Sequence, residues 1–100
     1  MTFYKNTGIR EQVIEEIKSI AKKCNIDKII LFGSRARGDF KKRSDIDLAV
    51  SGEKTDEFTI LTDEETSTLL KYDIVDLNKP VQKELLESIK KEGVVLYEKI

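Results

Sequence analysis

Apolar residues recur every three or four positions over residues 9–24. Ile9, Val13, Ile17, Ile20 and Cys24 form the stripe, with Ile14 and Ala21 beside it. That period predicts an amphipathic helix. Glu11, Glu15 and Glu16 come early and Lys18, Lys22 and Lys23 late, an order that suits the helix dipole. Residues 28–32, Lys-Ile-Ile-Leu-Phe, are a short apolar run ending at Gly33 and predict a buried strand. Residues 33–44 turn polar and predict a turn that includes at most one helical turn. Residues 45–50 alternate, with Asp45, Asp47 and Ala49 on one face and Ile46, Leu48 and Val50 on the other. This is a second strand with one acidic face.

Residues 51–61 carry no clear period, and a strand extension or an irregular stretch is open over 57–61. Thr62 followed by Glu65 reads as a capping box and predicts a short helix over 63–70. Residues 72–77 predict a third strand. Pro80 opens a helix striped by Val81, Leu85 and Ile89, with Leu86 alongside, and Gly93 stops it. Residues 94–97 predict a last strand. The order α-β-turn-β-α-β-α-β implies an α/β fold, a small mixed sheet flanked by helices.

Length and composition narrow the chemistry. One hundred residues make a single domain over 1–100, with residues 1–8 loosely held. There is no His, which excludes Ser-His-Asp and Cys-His catalysis and His-ligated zinc. A single Cys excludes an internal disulfide and fits a reducing, cytoplasmic setting. No apolar run approaches a membrane span. The formal charge of −1 argues against bulk electrostatic attraction to nucleic acid. Catalysis must rest on carboxylates, Lys, Arg or hydroxyls, or on metals held by oxygen.

One constellation meets that requirement: Gly33-Ser34, ten residues, then Asp45-x-Asp47. A glycine directly after a buried strand permits a sharp turn and close approach to a ligand. Ser34, Arg35 and Arg37 then offer amides, a hydroxyl and two guanidiniums suited to phosphate. Arg35 and Arg37 read equally well as phosphate contacts or as surface charges. Asp45 and Asp47 share one strand face and repel unless a cation sits between them. Hard oxygen ligands of this kind select Mg²⁺ or Mn²⁺, completed by substrate phosphates. Together the halves describe a nucleoside-triphosphate site. Asp73 and Asp76 are candidates for a third carboxylate, and Asp73, at the strand start, is preferred.

The run 29–34 with Asp45-x-Asp47 resembles the signature of polymerase-β-type nucleotidyltransferases. Residues 32–38, 44–48, 72–77 and 92–97 resemble, in order and spacing, the minimal nucleotidyltransferases (MNT) paired with HEPN-domain toxins. The resemblance implies that Gly33 and Ser34 hold a triphosphate and that Asp45 and Asp47 bind two Mg²⁺ ions. It implies that Asp73 shares a metal and helps activate an acceptor hydroxyl. It further implies AMP transfer from ATP, or another NTP, onto a tyrosine of a HEPN protein, silencing it within a type VII-like toxin–antitoxin module. Size agrees with an acceptor supplied in trans, since the motifs use up the central strands.

Several features have plainer readings. Lys41-Lys42-Arg43 reads as a solvated basic loop, with contact to an acidic partner or to the triphosphate tail as the alternative. Cys24 belongs to the core, and Tyr4, Tyr72 and Tyr97 pack with a wet hydroxyl. Two rival functions remain: a non-catalytic antitoxin or nucleotide-sensing module, and, less favoured, a nucleic-acid binder using residues 35–43.

Overall fold

A computed structural model describes residues 6–99. Helix α1 (Glu11–Lys23) buries Val13, Ile14, Ile17, Ile20 and Ala21, the stripe expected from the sequence. Its end is set by the Cys24 N–H donating to the Ile20 carbonyl and by Asn25 in the left-handed region. Strand β1 (Ile26–Phe32) runs into a one-turn helix α2 (Ser34–Arg37). Then follow β2 (Ile46–Gly52), α3 (Thr55–Glu65), β3 (Tyr72–Asp76), α4 (Lys83–Glu92) and β4 (Val94–Glu98). The sheet order is β3-β2-β1-β4. Strand β1 is antiparallel to β2 and to β4, whereas β2 and β3 are parallel. The sheet is therefore mixed, as expected.

Alternation divides the apolar residues between two faces. Ile29 and Leu31 of β1, with Ile46, Leu48 and Val50 of β2, pack against α1 and Phe58 of α3. Phe32, Ala49, Ile30 and Val75 pack on the other face against Leu85 and Ile89 of α4.

Three expectations are corrected. The third helix lies at Thr55–Glu65, not 63–70. Thr62 is no cap: it is fully buried mid-helix, and its hydroxyl donates back to the Phe58 and Thr59 carbonyls. Pro80 does not open the fourth helix, which starts at Lys83 after an extended Gln82. Within the segment expected to be loosely held, Thr7 is anchored: it is buried, and its carbonyl accepts a hydrogen bond from Arg35. Residues 1–5 of that segment, with Tyr4, lie outside the described residues. Among the described residues no helix is long and apolar enough to cross a membrane.

Candidate active site

The strand directions bring four chain segments to one end of the sheet. The end of β1 (Gly33-Ser34) meets the starts of β2 (Asp45, Asp47), β3 (Asp73) and β4, the last preceded by Glu92. Register fixes the neighbours: Phe32 lies opposite Asp47, and Asp47 opposite Asp73. Paired residues on adjacent strands share a face at a strand spacing of about 5 Å. Asp47 and Asp73 thus share the sheet face that α4 covers further along, and Asp45, just before β2, is near enough for its charge to act on Asp47.

Gly33 adopts φ +76°, a region that L side chains rarely enter. A Cβ there would stand 2.2 Å from Asp47 Oδ2. Both the turn and the close approach of the acidic strand demand glycine. Its carbonyl accepts the Ala36 and Arg37 N–H groups to form the single turn of α2.

Asp47 is half-buried, while Asp45 and Asp73 are exposed. Burial, then the charges of Asp73 and Asp45, push the Asp47 carboxyl up to about 6 from 3.8, although Arg37 and Arg35 pull it down. The cluster holds more negative charge than its own arginines balance, and this is the chemistry of a cation site. Among the described residues no three carboxylates converge into a ready-made cage. Mg²⁺ is typically held by one or two carboxylates together with substrate phosphates. Asp45 and Asp47, with Asp73 beside them, suit this mode.

The two arginines differ. Arg35 is 2% exposed. Its guanidinium donates to the carbonyls of Thr7 (2.8 Å), Ser44 (3.0 Å) and Lys42 (3.3 Å) and lies over the Phe40 ring at 4.8 Å. Burial draws it below its ordinary pKa, with Asp47 opposing. Neither of the two sequence readings, surface charge or direct phosphate contact, describes this placement. Arg35 is an internal strut that ties the loop before Asp45 to the start of the chain. Arg37 is half-exposed and faces the site. It pairs with Glu92 at 3.0 Å and with Asp39 at 3.2 Å, and the bonds to Asp39 and Glu92 hold its pKa above the ordinary value.

Glu92 is the residue that sequence reasoning missed. Its Oε1 accepts both the Gly33 N–H, at 3.2 Å, and Arg37 Nη1. The available signal was a carboxylate in the last turn of a helix, where the dipole favours cations. Asp76, the alternative third carboxylate, is engaged elsewhere. It accepts the Thr55 hydroxyl (2.8 Å) and the Asn78 N–H (2.9 Å) and lies opposite Val50, away from Asp47.

Comparison with known proteins identifies the family. Residues 15–100 match the family model described as Polymerase beta, Nucleotidyltransferase. A Methanocaldococcus jannaschii protein, provisionally named a protein adenylyltransferase, is 36% identical over 99 residues, covering 87% of this chain and 97% of that protein. A solved toxin–antitoxin structure with AMP-PNP aligns with a TM-score of 0.66 at 22% identity, over 86% of this chain and 73% of that one. A mutant MntA-HpeT toxin–antitoxin structure aligns at 0.65 and 20% identity, with the same coverage. The two structures share the fold, and the family match spans every segment that converges on Asp47. This chain belongs to the polymerase-β-type nucleotidyltransferase family.

Proposed function

We propose that the protein, as one cytoplasmic domain, is a Mg²⁺-dependent adenylyltransferase that moves AMP from ATP onto a tyrosine hydroxyl of a HEPN partner and thereby acts as its antitoxin. The observation that carries the reading is Asp47, set between Gly33 and Asp73, its carboxyl pushed up to about 6 by burial first and by its acidic neighbours second. The name of the M. jannaschii relative supports protein adenylylation, and the MntA-HpeT likeness supports a toxin–antitoxin setting.

Each residue has a task. The backbone at Gly33 and Ser34 cradles the triphosphate, and Arg37 balances its charge. Arg35 contributes by holding the loop that carries Asp45. Asp45 and Asp47 would hold two Mg²⁺ ions, with Asp73 as a further ligand. When bound, the ions stabilise the charge developing on the attacking and leaving oxygens. The acceptor hydroxyl, its proton passing to Asp73, attacks the α-phosphorus in line. The new P–O bond forms as the bond to the β-phosphate breaks, and pyrophosphate leaves. Such transfer depends on positioning and charge, so a site without His suffices.

The test mixes the protein with Mg²⁺, α-labelled ATP and the protein encoded beside it. Label should move onto the neighbour and be lost with Asp47→Asn. Tight binding of the two proteins with no label would replace this reading with a non-catalytic antitoxin.

A further inference from the structure

A cavity of about 600 Å³ opens beside the carboxylates, bounded by Arg43, Asp45, Leu69, Leu70 and Lys71. We propose that it seats the acceptor-bearing segment of the partner, with Leu69 as the apolar anchor and Arg43 and Lys71 reading acidic residues near the acceptor hydroxyl. The inference rests on the adenylyltransfer reading and names the surface that selects its substrate.

Four observations carry it. First, position: in-line displacement needs the nucleophile opposite the leaving group. With the triphosphate on Gly33 and Ser34, as the proposed function has it, pyrophosphate leaves on the β1 side of Asp47 and the acceptor arrives from the β3 side. The cavity lies there, walled by the residues leading into β3 and by Asp45. Second, Leu69 is fully exposed, at 103% of its reference area. It also borders a second depression formed with Arg10, Thr66, Ser67 and Thr68. A lone surface leucine is ordinary, but this one borders two concavities at the mouth of the site, which is why it is taken as the apolar contact.

Third, charge: Arg43 and Lys71 are exposed, and among the described residues neither has an ion-pair partner. Lys41 and Lys42 extend the same basic loop. Away from Asp45, which faces the carboxylate cluster, the wall's two cations complement an acidic segment. Among the described residues no aromatic side chain lines the cavity, so they offer no stacking platform of the kind a nucleobase or single-stranded RNA would use. Fourth, the segment is pre-organised although it is neither helix nor strand. The Ser67 N–H and hydroxyl both donate to Glu16, at 2.7 Å, and these bonds hold the Glu16 carboxyl below its ordinary pKa. The Lys71 carbonyl accepts the Ile46 N–H at 2.8 Å. A surface held in its binding shape loses less entropy on association.

The experiment compares the whole protein with Leu69→Asp and with the Arg43→Glu/Lys71→Glu pair, all surface changes. Binding of a non-hydrolysable ATP analogue is measured beside AMP transfer onto tyrosine peptides flanked by Leu with Asp/Glu, or by Leu with Lys. The wild type should favour acidic flanks at least about tenfold in kcat/KM. Leu69→Asp should raise KM for both peptides, and the charge pair should invert the preference, with analogue affinity unchanged. Three results would overturn the proposal: equal use of both peptides by wild type, loss of analogue binding in the variants (which assigns the cavity to the nucleotide), or competition by a short single-stranded RNA. Failure of wild type to label any peptide or neighbour protein would instead remove the adenylyltransfer reading, and this inference with it.

Discussion

At the scale of single residues, the acidic site works against the fold that holds it. Asp47 has a folded pKa of about 6 against an ordinary 3.8, so the folded chain prefers it protonated. The resulting stability is present below about pH 4, declines between about pH 4 and 6, and is absent above. Asp47→Asn should therefore stabilise the metal-free protein at pH 8 by roughly 1–3 kcal/mol, the upper figure being the full shift without solvent screening. It should do nothing at pH 4 while abolishing transfer. Urea melts at both pH values check this, and equal effects at the two would sink it. A pair of glycines separates backbone strain from crowding. Gly33→Ala meets Asp47 Oδ2 as well as strained backbone, whereas Gly38, at φ +93°, has open space around an added Cβ. Both should lose about 1–2 kcal/mol of stability. Only Gly33→Ala should also eliminate AMP transfer, measured beside the melts.

At the scale of elements, legibility followed how openly each residue shows its role. Helix α1 and the strands were readable because Ile, Leu and Val mark their buried faces directly. Helix α3 was not, because Thr55 and Thr62 occupy two of its three buried positions with Phe58. Their hydroxyls are satisfied inside, by Asp76 and by backbone carbonyls, so polar letters stand in an apolar stripe. The site was similarly half legible. Among the candidate residues, Gly33, Asp45 and Asp47 stand out by spacing; Asp73 is one of two choices, and the parallel register sets it, not Asp76, beside Asp47. Arg35 did not stand out, because nothing in its local sequence says that its partners are carbonyls at residues 7, 42 and 44. Lysine cannot reproduce that planar fork. Arg35→Lys should cost about 3 kcal/mol in urea denaturation, the scale expected when charged donors leave buried carbonyls unmet. It should also lower kcat more than nucleotide affinity, because the loop before Asp45 loses its strut. A loss confined to nucleotide affinity would show instead that Arg35 contacts phosphate directly.

At the scale of the whole molecule, the mixed sheet explains why distant segments share one chemistry. With β4 antiparallel to β1, the end of α4 returns to the exit of β1, and Glu92 reaches Gly33 across 59 positions of sequence. Gly93 makes this return possible: a Cβ there would stand 2.3 Å from the Ile89 carbonyl oxygen and 2.5 Å from Ile30. The Glu92 carboxylate then occupies an amide and a guanidinium that suit a phosphate oxygen. It is one-fifth exposed, so solvent screens it only in part. On the proposed function, an incoming triphosphate must displace this carboxylate or lie beside its charge, and either weakens binding. Glutamine keeps an acceptor for the Gly33 N–H and the same length of side chain, but not the charge. Glu92→Gln should therefore tighten ATP binding about 3- to 10-fold at low salt, with the gain shrinking as ionic strength rises. Calorimetric titration with a non-hydrolysable analogue at two salt concentrations measures it. If the affinity instead falls, Glu92 serves to hold Arg37 in place for the nucleotide, and the carboxylate is a support of the cradle rather than a competitor for it.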